Sequence, residues 1–168
     1  MLSIVLCSCS MQKSIVMNQD ESSSMDKVYD IHYFQDDKIN IVVYEYLDGK
    51  WNKLISEFLE NDTQKVVLTL VEPTSEENDY CFQISYQNNS DENIKELQQI
   101  TFKENNSFFH QKSISDIEMN KELQNLAIYE WLDDGELCIY DLKNFSIDDS
   151  YNAKRAYLVM IGSYNETN

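Results

Sequence analysis

Glycine, proline, arginine and histidine are all scarce in this 168-residue chain, which holds three, one, one and two of them. A phosphate-cradling loop needs clustered glycines so that backbone amides can approach the ligand, and isolated Gly49, Gly135 and Gly162 do not supply one. Nucleotide-dependent enzymes of that kind are therefore set aside. Arg155 is the only arginine, and thirteen basic residues face thirty acidic ones for a formal net charge of −17. Tracking a nucleic-acid backbone requires clustered Lys and Arg that release counterions, so no nucleic-acid partner is expected. The same charge repels anionic lipid head groups.

Metal and catalytic patterns are missing as well. His32 and His110 stand in unrelated contexts, with no G-x-S-x-G elbow and no H-E-x-x-H helix to pair them with a nucleophile or a metal. Neither Cys81 nor Cys138 belongs to a C-x-x-C, and no D-x-[DN]-x-[DN]-G loop offers calcium its ligands. We expect no enzyme, no cofactor and no resident metal. Acidic pairs such as Asp36-Asp37, Glu76-Glu77 and Asp148-Asp149 read as a solubilising surface.

What is present begins with an address. Leu6-Cys7-Ser8-Cys9 places an aliphatic residue, a free position and a small residue before a cysteine, the order in which a bacterial lipoprotein signal ends. No Lys or Arg precedes it, and the opening Met1 to Leu6 is shorter than a secretory h-region, so the reading expects the true start upstream of Met1. Residues 1–9 are thus read as the tail of a signal, 10–26 as a flexible polar tether, 27–164 as one β-sandwich domain and 165–168 as a tail. Cys9 is the expected lipidation site, and a diacylglyceryl group would supply the two chains that stable anchoring needs. The expected location is the extracytoplasmic face of the cell membrane. Processing at Cys9 would leave Cys81 and Cys138, for which two free thiols are favoured over a disulfide while both states stay open.

The domain reads as all-β. Asp48-Gly49 and Asp134-Gly135 each sit between strand-like runs, and Asp-Gly suits the two positive φ angles of a type I′ hairpin turn. The first hairpin joins Ile39 to Leu47 with Lys50 to Ile55. The second joins Leu126 to Leu132 with Glu136 to Leu142. Further strands are expected over Val28–Phe34, Lys65–Glu72, Tyr80–Gln87, Leu97–Lys103 and Ala156–Ser163 from period-two or continuously apolar runs rich in β-branched and aromatic residues. Short helices are allowed at Ile117–Leu126 and Ile147–Asn152. Eight or nine short strands without crossover helices predict an antiparallel β-sandwich.

Tyr44-Glu45-Tyr46-Leu47-Asp48-Gly49-Lys50-Trp51, followed by an apolar strand, a polar hairpin and the terminal Tyr157-Leu158-Val159-Met160-Ile161, resembles small uncharacterised lipoproteins of Gram-positive gut bacteria. Leu47 runs directly into Asp48, one residue shorter than the L-x-D-G-x-W of that family. The resemblance implies an extracytoplasmic β-sandwich and carries no catalytic residue across. Three roles follow from these readings. The first is a protein interaction module facing an envelope protein. The second is a glycan-binding module with an aromatic platform of Trp51, Trp131, Tyr44 and Tyr129, which competes with ordinary packing of those rings. The third is a cytoplasmic all-β protein of undefined role.

Overall fold

The computed structural model describes residues 14–17, 27–32, 38–60, 62–73, 79–104, 107–118, 122–133 and 140–164. Among them run eleven strands: β1 (Ser14–Met17), β2 (Lys27–His32), β3 (Lys38–Leu47), β4 (Lys50–Phe58), β5 (Thr63–Val71), β6 (Tyr80–Asn88), β7 (Asp91–Phe102), β8 (Phe108–Ser113), β9 (Asp116–Glu118), β10 (Gln124–Leu132) and β11 (Arg155–Tyr164). They form two antiparallel sheets, ordered β7-β6-β5-β2-β1-β9 and β4-β3-β11-β10-β8. The all-β sandwich is the observed architecture. Its helical content among the described residues is one 3-10 turn, Leu142–Asn144.

The first hairpin forms as its sequence dictates. Leu47 pairs with Lys50, and Asp48 and Gly49 adopt φ of 53° and 78°, the left-handed pair that an Asp-Gly turn tolerates. The expected second hairpin falls mostly outside the described residues. β10 is flanked by β11 on one edge and β8 on the other, so no edge remains for a strand after Asp134-Gly135. That turn lies outside the described residues, and Tyr140 and Asp141 lead instead into the 3-10 turn. The short helices are also replaced, by β9 and the start of β10 at one place and by a turn around Ile147–Asn152 at the other.

Three strands not expected from the sequence are β1, β8 and β9. Ser14-Ile15-Val16-Met17 lies within the expected tether, yet its β-branched pair gives it strand character. β1 pairs with β2 and β9, which ties it into the six-stranded sheet. The segment expected as a tether, 10–26, thus contains a paired strand. Asn88 to Asn93, expected as a break, is a two-residue turn that lets β7 start at Asp91.

The core lies between the sheets. Tyr29, Val66, Leu68, Leu70, Phe82 and Ile84 from one side meet Ile41, Val43, Tyr129, Trp131, Tyr157 and Val159 from the other. Alternation then turns Lys65, Val67, Thr69, Gln83 and Gln87 outward on the six-stranded sheet. On the five-stranded sheet the outward Tyr46, Ile128, Ala156 and Leu158 form a second buried cluster with Leu142 and Phe145. Residues 140–153 thus cover one face of that sheet, and β10 is buried along nearly its whole length.

Candidate functional site: a buried glutamate under the covering segment

Glu130 is the one carboxylate inside β10, and none of its surface reaches solvent. An ionised carboxylate in such a place needs partners for its oxygens, because the interior cannot replace its hydration. They converge from three elements. His110 of β8, directly opposite in the ladder, brings Nδ1 to 2.8 Å from Oε1. A carboxylate oxygen only accepts, so Nδ1 carries the proton. Tyr140 and Tyr151, from the two ends of the covering segment, donate their hydroxyls to Oε2 at 2.9 and 2.6 Å. The Lys112 ammonium stands 3.7 Å from the centre of the Tyr140 ring, a cation over an electron-rich face.

A second clasp lies along the same strand. The Asn125 amide donates to the carbonyls of Leu142 and Phe145 at 2.8 and 2.6 Å, fixing the 3-10 turn against β10. The Tyr46 hydroxyl donates to the Tyr151 carbonyl at 2.9 Å. Around these bonds Trp51 packs against Tyr46, Tyr151 and Phe145 with ring centres 5.2, 5.1 and 5.9 Å apart. The chemistry of this arrangement is closure: Glu130 Oε2 holds residues 140–153 down through Tyr140 and Tyr151, while Oε1 is taken by His110 within the sheet.

Two further polar groups mark opposite ends of the sandwich. At the Asp48-Gly49 end, Arg155 bridges the sheets, with Nε 3.2 Å from Glu104 Oε1 just beyond β7 and Nη1 3.5 Å from Glu45 Oε1 on β3. Lys154 also meets Glu104, at 3.0 Å. Tyr157 donates to Glu45, and burial pushes its hydroxyl well above the usual tyrosine value. At the other end, Glu60 accepts from Lys95, Asn88 and Tyr86. The Lys95 ammonium, with Asn88 next, holds the Glu60 carboxyl below the usual range, and Ser90 does the same for Asp62.

The expected site residues fall apart on this framework. Trp131 and Tyr129 are 0% exposed and point between the sheets, where Trp131 packs on Phe102 and Phe109 at 4.8 and 5.1 Å. Trp51 and Tyr44 belong to the opposite, covered face. The four rings therefore make no common platform, because alternation sends them to two sides of one sheet and packing claims both. Cys81 is a half-buried free thiol on β6. Cys138 and Cys9 lie outside the described residues, as does the side chain of His32. The sequence reading left His110 without a partner and passed over Glu130. Its signal was a single acid inside the apolar run Leu126 to Leu132.

Among the described residues no three His, Cys, Asp or Glu side chains gather closely enough to hold a metal ion. No protein-family model matches this chain, and neither a curated protein nor a solved structure does.

Proposed function

We propose that this chain is a lipid-anchored interaction module of the cell envelope, held at the extracytoplasmic face of the membrane through Cys9 and without catalytic role. The observation that carries the location is Leu6-Cys7-Ser8-Cys9. Support for a binding rather than a catalytic role comes from Glu130 and His110, the carboxylate and imidazole that meet at 2.8 Å. The Glu130 oxygens are consumed by the clasp, whereas a general base needs free reach to a substrate proton. Support for the binding surface comes from the outer face of the six-stranded sheet. Lys65, Val67, Thr69, Val71, Cys81, Gln83, Gln87, Gln99 and Thr101 share that face by register with Asp30, Ile94, Glu96 and Asp116, so the amides, hydroxyls and small apolar groups of β5 and β6 are flanked by carboxylates on β2, β7 and β9. Such a mixed polar surface suits a protein partner.

Intact mass of the chain extracted from membranes tests the location. The expected species begins at Cys9 and carries a diacylglyceryl thioether, and Cys9→Ser releases the protein from the membrane fraction. An unmodified Cys9 still preceded by residues 1–8 would contradict the proposal.

A further inference from the structure

We infer that the end of the sandwich bearing Ser14, Phe58, Ile94 and Leu123 lies against the lipid surface, an orientation that rests on the anchor proposed at Cys9. The argument begins with β1. Ser14 opens that strand and pairs with His32 and Glu118, so the chain enters the folded body at the end where β2 and β9 finish. Only four residues of chain, 10–13, lie between Cys9 and Ser14, and the five Cα-to-Cα steps span at most about 18 Å at full extension. A tether running to Asp26 would leave the body free to turn over. Four residues hold the Ser14 end beside the anchor.

Register identifies what else occupies that end. Val16 pairs with Asp30, Asp30 with Lys65, Lys65 with Gln87 and Gln87 with Ile94, which places Ile94 two rows from Ser14. On the other sheet, Phe58 pairs with Asn40 near the start of β3, and Leu123 immediately precedes β10. The chain also passes between the sheets here, from β2 to β3, from β4 to β5 and from β9 to β10. Phe58, Ile94 and Leu123 are 55, 62 and 38% exposed. Val71 and Phe108 are comparably exposed at the far end, so apolar exposure alone does not choose an end. The short link does, and the three apolar side chains then have a lipid interface to meet. The Asp48-Gly49 turn stands on the far side, eight strand residues beyond Phe58, or about 27 Å. Arg155 and Glu104 share that distal end.

Site-specific photo-cross-linking tests the orientation. The full lipidated chain, its Cys9 modification confirmed by intact mass, is placed in phosphatidylcholine vesicles, where anionic head groups do not repel it. Photoreactive p-benzoylphenylalanine replaces Phe58 in one preparation, Leu123 in a second and Lys50 in a third. Phosphatidylcholine adducts several-fold more abundant at positions 58 and 123 than at 50 are expected. Equal yields, or more adduct at 50, with Cys9 lipidated overturn the orientation and leave the anchor standing. A Cys9 without lipid overturns both.

Discussion

On the five-stranded sheet the outward Tyr46, Ile128, Ala156 and Leu158 lie beneath residues 140–153, whereas on the six-stranded sheet the outward Lys65, Thr69, Gln83 and Gln87 meet no buried cluster among the described residues. The difference is written in the strands. β10 and β11 are apolar on both sides and read as nearly continuous hydrophobic runs, the pattern of a strand covered twice. β5 and β6 alternate, the pattern of a sheet with one wet face. Covering a face requires more than apolar contact, since the covering segment brings its own backbone carbonyls to be satisfied. Asn125 donates to two of those carbonyls, and Glu130 accepts the hydroxyls that Tyr140 and Tyr151 bring with the segment. Among the described residues no segment covers the outer face of the six-stranded sheet, which is why the proposed binding surface is there.

Removing the clasp breaks the comparison most directly. Glu130→Ala leaves His110, Tyr140 and Tyr151 without their shared acceptor and is expected to cost about 3 kcal/mol, with Glu130→Gln costing about half as much because its carbonyl still accepts. Urea denaturation of both variants checks the ranking. Asn125→Ala strands the Leu142 and Phe145 carbonyls and is expected to cost about 2 kcal/mol, with faster amide exchange confined to the 3-10 turn at lower denaturant.

A pH effect belongs to the end near Ser14. The Glu60 carboxyl sits below its ordinary value, chiefly through Lys95, so the stability it contributes is fully present above the unfolded-state value and is lost as pH falls through the lower folded one. Lys95→Met is expected to move the Glu60 titration midpoint upward toward the ordinary range, as read by carboxyl-carbon NMR. An unchanged midpoint would show that Asn88 and Tyr86 suffice. The smallest effect is on the open face, where Gln83→Ala is expected to change stability by no more than about 0.5 kcal/mol. A large loss there would mean that the face is covered after all.

Strand identity was legible wherever local chemistry was strong. Asp48-Gly49 specified its hairpin, and the alternation in β3, β5 and β6 specified which side faces inward. What stayed hidden depended on partners distant in sequence. β8, Phe108–Ser113, lacks alternation and is a strand because β10 offers it an edge. The second Asp-Gly reads as equivalent to the first, but both edges of β10 are taken, by β11 and β8. For Trp131 and Tyr129 the sequence left exposure open, and only the meeting of Phe82, Phe102 and Phe109 from three strands decided it. Glu130 drew no notice because its partners come from 20 residues before it and from 10 and 21 after it.

The claim that one face is closed and the other receives a partner is tested most directly in intact cells, with p-benzoylphenylalanine replacing Gln99 on the open face or Asp148 on the covering segment. The account predicts one discrete protein adduct at position 99, lost on adding Thr69→Lys in the same row two strands away, and none at position 148. The same adduct at both positions, or its persistence with Thr69→Lys, would contradict it.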